Sequence, residues 1–216
     1  MAQPTSSVLD RQVPSSGRGR RAPRLASAPA ILDAATTLFL RHGYRGTSMD
    51  DIAALAHVSK QTVYTHFRDK QQLFAELVRG NTGRVDDFLA ASAALGESTD
   101  LERDLRAFAR RYVRVVVQPD AIRLRRLVIS EASRFPELAG EYYERVPMRV
   151  IAALAGHLQR LTARGQLHIE DAQVAATHFA WLILGRPLDE ALFRGEGIDH
   201  PPAELDRHPS EEIEQG

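Results

Sequence analysis

The chain has 216 residues, 44% of them hydrophobic and 26% charged, enough to bury a substantial core in one or two compact units. It has no cysteine, which excludes structural disulfides and thiolate metal sites. Net charge is zero at pH 7, but residues 1–80 carry 11 Arg/Lys against 6 Asp/Glu and residues 81–216 carry 17 against 22. Only the basic first third therefore suits a polyanion such as nucleic acid.

No apolar run approaches the roughly 18 residues of a membrane span. The N-terminus also lacks the continuous apolar segment of a secretory signal. A cytoplasmic protein with no membrane partner is expected.

Residues 1–27 are rich in Ser, Pro, Gly and Arg and show no periodicity, as in a disordered basic arm. Arg18, Arg20, Arg21 and Arg24 suit an arm laid on DNA and a solubilising tail equally well. A first helix follows, with Ile31, Ala34, Ala35, Leu38 and Phe39 at i, i+3, i+4, i+7 and i+8 and Gly43 as its stop. Ser48 and Asp51 have capping-box spacing, with Asp in place of the preferred Glu, and open a second helix. Ile52, Ala53 and Ala56 form its inner face, and His57-Val58 makes a turn. Ser59 then caps a third helix of about two turns, too short to be stable unless it docks on its neighbours. Val63 and Phe67 face inward there, and Lys60, Gln61, Thr62, Tyr64 and His66 largely outward. Asp69 precedes a fourth helix holding Leu73, Phe74, Leu77 and Val78.

Two short helices joined by a tight turn, the second polar outside, form a helix-turn-helix that lays its second helix in the major groove. Lys60, Gln61 and Thr62 sit where base contacts fall: Lys60 suits guanine O6/N7, Gln61 suits adenine N6/N7, and Thr62 offers a hydroxyl or a methyl group. The alternative for each is an ordinary solvated helix residue.

Beyond Gly80, Ala90 to Gly96 is only weakly periodic, and a loop is expected near Gly96–Thr99. Leu101, Leu105, Phe108, Tyr112, Val113 and Val116 mark a helix ending near Gln118-Pro119, and Ile122 to Ser133 another. Pro136 opens a turn or two carrying Tyr142 and Tyr143. Pro147 starts a long helix with Val150, Ile151, Leu154, Leu158 and Leu161, closed by Gly165. Asp171 caps a last long helix with Val174, Ala175, His178, Phe179, Leu182 and Ile183, ending near Gly185, and a short helix over Pro187–Arg194 follows. Residues 195–216 are Pro- and acid-rich and read as an acidic tail. No segment alternates with period 2, so the fold class is all-α, with about nine or ten helices.

Catalysis finds no support. The eight histidines show no H-E-x-x-H spacing, and there is no G-x-S-x-G elbow and no phosphate loop. Neither enzymatic activity nor a metal or cofactor is expected.

The run AILDAATTLFLRHGYRGTSMDDIAALAHVSKQTVYTHFRDKQQLFAEL, about 48 positions, resembles the DNA-binding domain of TetR-family transcriptional regulators. The FLRHGY-G-T stretch, the DIA-x-x-A turn entry and the TVYTHFRDK ending carry the match by their order and spacing. The segment RLRRLVISEASRFPEL, followed by a Pro-initiated long helix, looks like the C-terminal domain of one subgroup. The resemblance implies a helix-turn-helix domain over 28–80 and a ligand-binding and dimerisation domain over 81–194. It implies a homodimer on a palindromic double-stranded DNA operator, acting as a repressor released by a small-molecule effector. An activator, or a regulator controlled by a protein partner, is the alternative.

Tyr64, His66 and Lys70 match family positions that touch backbone phosphate, and Ser48 offers the same kind of helix N-terminal contact. Phe108, Tyr112, Leu127, Glu131, Phe135 and Tyr143 are the expected ligand-pocket residues, although aromatics at helical spacing are more often plain core. Glu131 lies near an apolar face; if buried it would need a partner, a cationic ligand or an arginine, and the alternative is a solvated end of that face. Leu154, Leu158, Ala175, Phe179, Trp181 and Leu182 are expected at a four-helix dimer seam, with intramolecular core as the alternative.

Overall fold

The computed structural model describes residues 27–80 and 83–194, and every regular element in them is helical. The expected arm and acidic tail, with Arg18, Arg20, Arg21 and Arg24, lie outside those residues. The N-terminal unit has four helices: α1 (Ser27–His42), α2 (Met49–Leu55), α3 (Lys60–His66) and α4 (Lys70–Gly80). Ile31, Ala35 and Phe39 of α1, Ile52 of α2, Val63 of α3, and Leu73 and Phe74 of α4 are all essentially inaccessible to solvent. Burying these side chains holds two seven-residue helices that would melt in isolation.

The second unit comprises α5 (Gly83–Ser92), a 3₁₀ turn (Ala93–Glu97), α6 (Leu101–Val116), α7 (Pro119–Glu131), α8 (Pro136–Tyr143), α9 (Arg149–Ala163) and α10 (Ala172–Arg194). Its core joins Phe88, Phe108 and Tyr112 to Val150, Leu154, Leu158 and Leu161 of α9 and Ala176, Ala180 and Leu184 of α10. The small residues of α10 let the two long helices lie close. The 3₁₀ turn is pinned to the end of α9: Arg164 donates to Gly96 O (3.2 Å) and Gln166 to Ser98 O (3.0 Å). A Cβ on Gly96 would fall 2.3 Å from Nε of Arg160, so a side chain there would make that guanidinium swing away.

The helix expected from Leu101 is present as α6, which ends at Val116, just short of the expected stop near Gln118-Pro119. No helix is expected over 81–89, where α5 forms, anchored by buried Val85 and Phe88. Two other expectations are corrected. Pro147 does not start α9. It sits inside a π-helical turn, Glu144–Met148, that joins α8 to α9 without a break, and the wider turn tolerates the missing N–H. Pro187 does not follow a helix end at Gly185, because α10 runs through it to Arg194.

The 80/81 division follows the chain but not the packing. Leu124, Leu127 and Val128 of α7 and Leu138 and Tyr142 of α8 share one buried cluster with the N-terminal unit. Phe135, at the α7–α8 corner, lies 5.1 Å from the Tyr44 ring and 5.8 Å from Phe74, while Phe39 contacts both of those rings. Such aromatic pairs contribute about 0.5–1.5 kcal/mol each beyond their area.

Candidate DNA-binding interface and ligand cavity

The helix-turn-helix is built from local signals. Ser48 and Asp51 close a capping box, with Asp51 N donating to Ser48 Oγ (3.1 Å) and Ser48 N to Asp51 Oδ2 (3.3 Å). The turn leaves α2 through His57, whose φ is +54, while His57 N donates to Ala54 O and Val58 N to Ala53 O. This is a Schellman motif with histidine where glycine is usual. Ser59 then caps α3 by accepting from Thr62 N (3.1 Å).

That frame fixes what α3 shows to solvent. Gln61, Tyr64 and Thr65 are exposed on one stripe, continued by Arg68, whose side chain is 88% exposed. Gln61 and Tyr64 were expected there. Thr65 and Arg68 were not, although the i+4 and i+7 spacing from Gln61 marks both. Lys60 is exposed but engaged: its Nζ lies 2.7 Å from Asp50 Oδ1, and that hydrogen bond raises its pKa. Thr62 is half-buried with its hydroxyl 2.8 Å from Ser59 Oγ. His66 is half-buried beside Phe67. Ser48 is exposed, but its hydroxyl is held in the capping box.

Lys70 differs most from expectation. Its ammonium donates to Tyr44 O (2.8 Å) and Thr47 O (2.7 Å) and lies 4.5 Å from the Tyr44 ring centroid. Desolvation lowers its pKa, with Arg134 adding to the effect. Lys70 thus clamps the α1–α2 connection to α4 through two of its carbonyls. Arg134 covers the Tyr44 ring at 4.9 Å.

The six expected pocket residues do not converge. Leu127 and Phe135 pack on the N-terminal cluster, because the buried face of α7 and its corner turn toward α1 and α4. Glu131, at the end of α7, is half-buried near Tyr44 and Lys70 rather than in a cavity, and it acts on both electrostatically. Tyr143 is 48% exposed. Phe108 packs behind Tyr112, with ring centroids 5.9 Å apart. Only Tyr112 lines the narrow cavity of about 50 Å³ enclosed by α5, α6, α7 and the α8–α9 joint. Phe88, Val116, Leu124, Tyr142 and Val150 line it too. Burial pushes the Tyr112 phenol up to about 12.

The expected seam residues also divide. Leu154 and Leu158 are buried in the chain's own core, on the face of α9 turned toward α10. Ala175 and Phe179 are partly buried against the same core. Trp181 (52% exposed) and Leu182 (84%) point outward, alongside Val174. Ala152 and Ala163 of α9 are exposed as well. Among the described residues no His/Cys/Asp/Glu group could hold a metal ion, and no helix is long and apolar enough to cross a membrane.

A capped helix-turn-helix presenting a polar helix face, backed by a second all-helical unit, defines the class of helix-turn-helix transcriptional regulators. Residues 31–77 match the sequence profile of bacterial regulatory proteins of the tetR family, and residues 103–214 that of the AefR-like transcriptional repressor C-terminal domain. The chain belongs to the TetR family of DNA-binding transcriptional regulators.

It is similar to the structure of a TetR-family transcriptional regulator from Mesorhizobium loti MAFF303099, at 38% identity and a TM-score of 0.78, over 86% of this chain and 92% of that one. The Flavonoid-responsive Regulator FrrA is 31% identical with a TM-score of 0.66, over 83% of this chain and 91% of FrrA. YhgD of Bacillus subtilis (strain 168), an HTH-type transcriptional regulator, is 51% identical over 47 residues, which span 22% of this chain and only 25% of YhgD.

Proposed function

We propose that the chain is a homodimeric repressor that leaves a palindromic operator when a small molecule enters the α5–α8 cavity. The outward stripe of α3 supports the DNA half of this reading most strongly: Gln61, Tyr64 and Thr65 are exposed on a helix fixed at both ends by capping bonds. Gln61 reads a base edge, assisted by Lys60 once DNA competes with Asp50, and Thr62 and Thr65 flank it. Tyr64, His66 and the helix N-termini at Ser48 and Lys70 position the backbone.

The exposed Val174, Trp181 and Leu182 on α10, with exposed Ala152 and Ala163 on α9, suit a seam with a second copy. A seam of that kind would space two α3 helices for half-sites about one helical turn apart. The AefR-like repressor profile supports repression. FrrA, flavonoid-responsive by its name, supports a small-molecule signal.

Footprinting on the DNA upstream of the chain's own gene, with sedimentation of the free protein, tests this reading. A two-fold symmetric footprint by a dimer is expected. A monomer at micromolar concentration, or protection without symmetry, would overturn it.

A further inference from the structure

The sign of charge around the cavity is the opposite of what Glu131 suggested. Among the described residues no carboxylate lines it, and the charged lining residues are Arg84 and Arg125. Arg84 is engaged, donating to Asp120 Oδ2 at 3.2 Å. Arg125 is half-buried and has no hydrogen bond or ion pair with any described residue. Most arginines of this unit are paired, as in Arg106–Glu102, Arg149–Asp86 and Arg186–Glu190. No unpartnered nitrogen of Arg125 is sealed from solvent, so the guanidinium stands at an accessible part of the lining, where it can meet an anion. Its planar fork matches a carboxylate through two parallel N–H bonds.

Tyr112 lines the same space, and its phenol has no hydrogen-bond partner among the described residues. Burial keeps that phenol protonated, and Arg125 lines the same cavity, its charge acting on the phenol in the opposite sense. The remaining wall is Phe88, Val116, Leu124, Tyr142 and Val150.

We propose that this cavity binds an amphipathic organic carboxylate, its anionic end held by the Arg125 guanidinium and the Tyr112 hydroxyl and its apolar body against Phe88, Val116 and Leu124. The assignment rests on the ligand-released reading above and adds the chemical class of the ligand. At about 50 Å³ the cavity has room for only a few waters, each needing about 10–15 Å³, so the ligand enters by spreading its walls. Two of those walls, Leu124 and Tyr142, also belong to the cluster shared with the N-terminal unit. Entry of the carboxylate therefore displaces α7 and α8 against α1 and α4.

The test is a thermal-shift and calorimetric titration of the full chain with three carboxylates (octanoate, cinnamate and 4-phenylbutyrate), their primary amides, and benzyltrimethylammonium. At least one carboxylate should raise Tm and bind at least tenfold more tightly than its amide. Arg125→Gln should lose that preference, Arg125→Lys should recover part of it, and Tyr112→Phe should weaken binding about tenfold or less. The ligand-free Tm of each variant, measured first, separates loss of fold from loss of binding. If amides or the ammonium compound bind as well as the acids, or Arg125→Gln keeps full carboxylate affinity, the anion assignment fails while the ligand-sensor reading stands. If no compound of any charge alters Tm or DNA binding, the sensor reading fails and takes the assignment with it.

Discussion

The α2–turn–α3 segment and the α7–α8 corner differ in how they are held. The first is closed by short-range bonds, with Ser48 to Asp51, Ser59 to Thr62 and His57 to Ala54 all within four residues. The corner has short-range backbone bonds too, Arg134 N and Phe135 N donating to Glu131 O, but its side chains are held by partners far along the chain: Phe135 by Tyr44 and Phe74, and Arg134 by Tyr44. The surface that would match DNA has its local geometry set by its own short-range bonds, on helices that docking against α1 and α4 keeps folded. The corner placed to respond to the cavity owes its position to side-chain contacts that a displacement would change.

The largest expected effect tests the long-range side of this contrast. Phe135→Ala should cost about 2–3 kcal/mol, below the roughly 3–5 of a fully buried phenylalanine because Phe135 is only half-buried. Urea denaturation measures it. A loss under about 0.5 kcal/mol, within the range of ordinary surface substitutions, would mean the corner does not brace the N-terminal unit. On the short-range side, Ser48→Ala should cost about 1 kcal/mol through the lost cap and weaken binding to all DNA sequences alike.

His57→Gly should stabilise by a few tenths of a kcal/mol, since relief of the left-handed strain slightly exceeds the added chain entropy. A lower urea midpoint would show that the histidine side chain has a favourable contact outweighing its backbone.

The smallest effect is a pH dependence remote from both regions. His157 is 5% exposed on α9, and Arg160 Nη2 lies 2.6 Å from its Nδ1. A guanidinium only donates, so Nδ1 accepts and the ring is neutral. Desolvation, reinforced by Arg160, lowers its pKa below the usual value. The unfolded chain then takes up the proton first as pH falls through about 6.5, so stability declines on acidification from neutral pH. His157→Gln should flatten the Tm-against-pH curve in that window, and an unchanged curve would place the slope elsewhere.

The same contrast explains what could be read from sequence. Ser48, Asp51, Ser59 and the Val63/Phe67 spacing specify the helix-turn-helix because each acts on atoms a few residues away. Pro147 and Pro187 misled because proline marks a helix boundary only in the local rule, and tertiary packing carries the chain through both. Leu154 and Leu158 carry the correct helical period, but a period does not say whether a face meets α10 or a second copy. Glu131 suggested a cationic ligand from its apolar neighbours. The cavity charge instead comes from Arg84 and Arg125, which only the assembled fold brings together.

The central claim is that the outward stripe of α3 reads operator sequence, with Gln61 at its centre. Fluorescence anisotropy on a panel of single-base-pair variants of the footprinted operator, comparing wild type with Gln61→Ala, tests it most directly. The account predicts about 1–3 kcal/mol lost on the native operator and a changed ranking at one base pair of each half-site. Binding of every variant by Gln61→Ala in the wild-type order would contradict it.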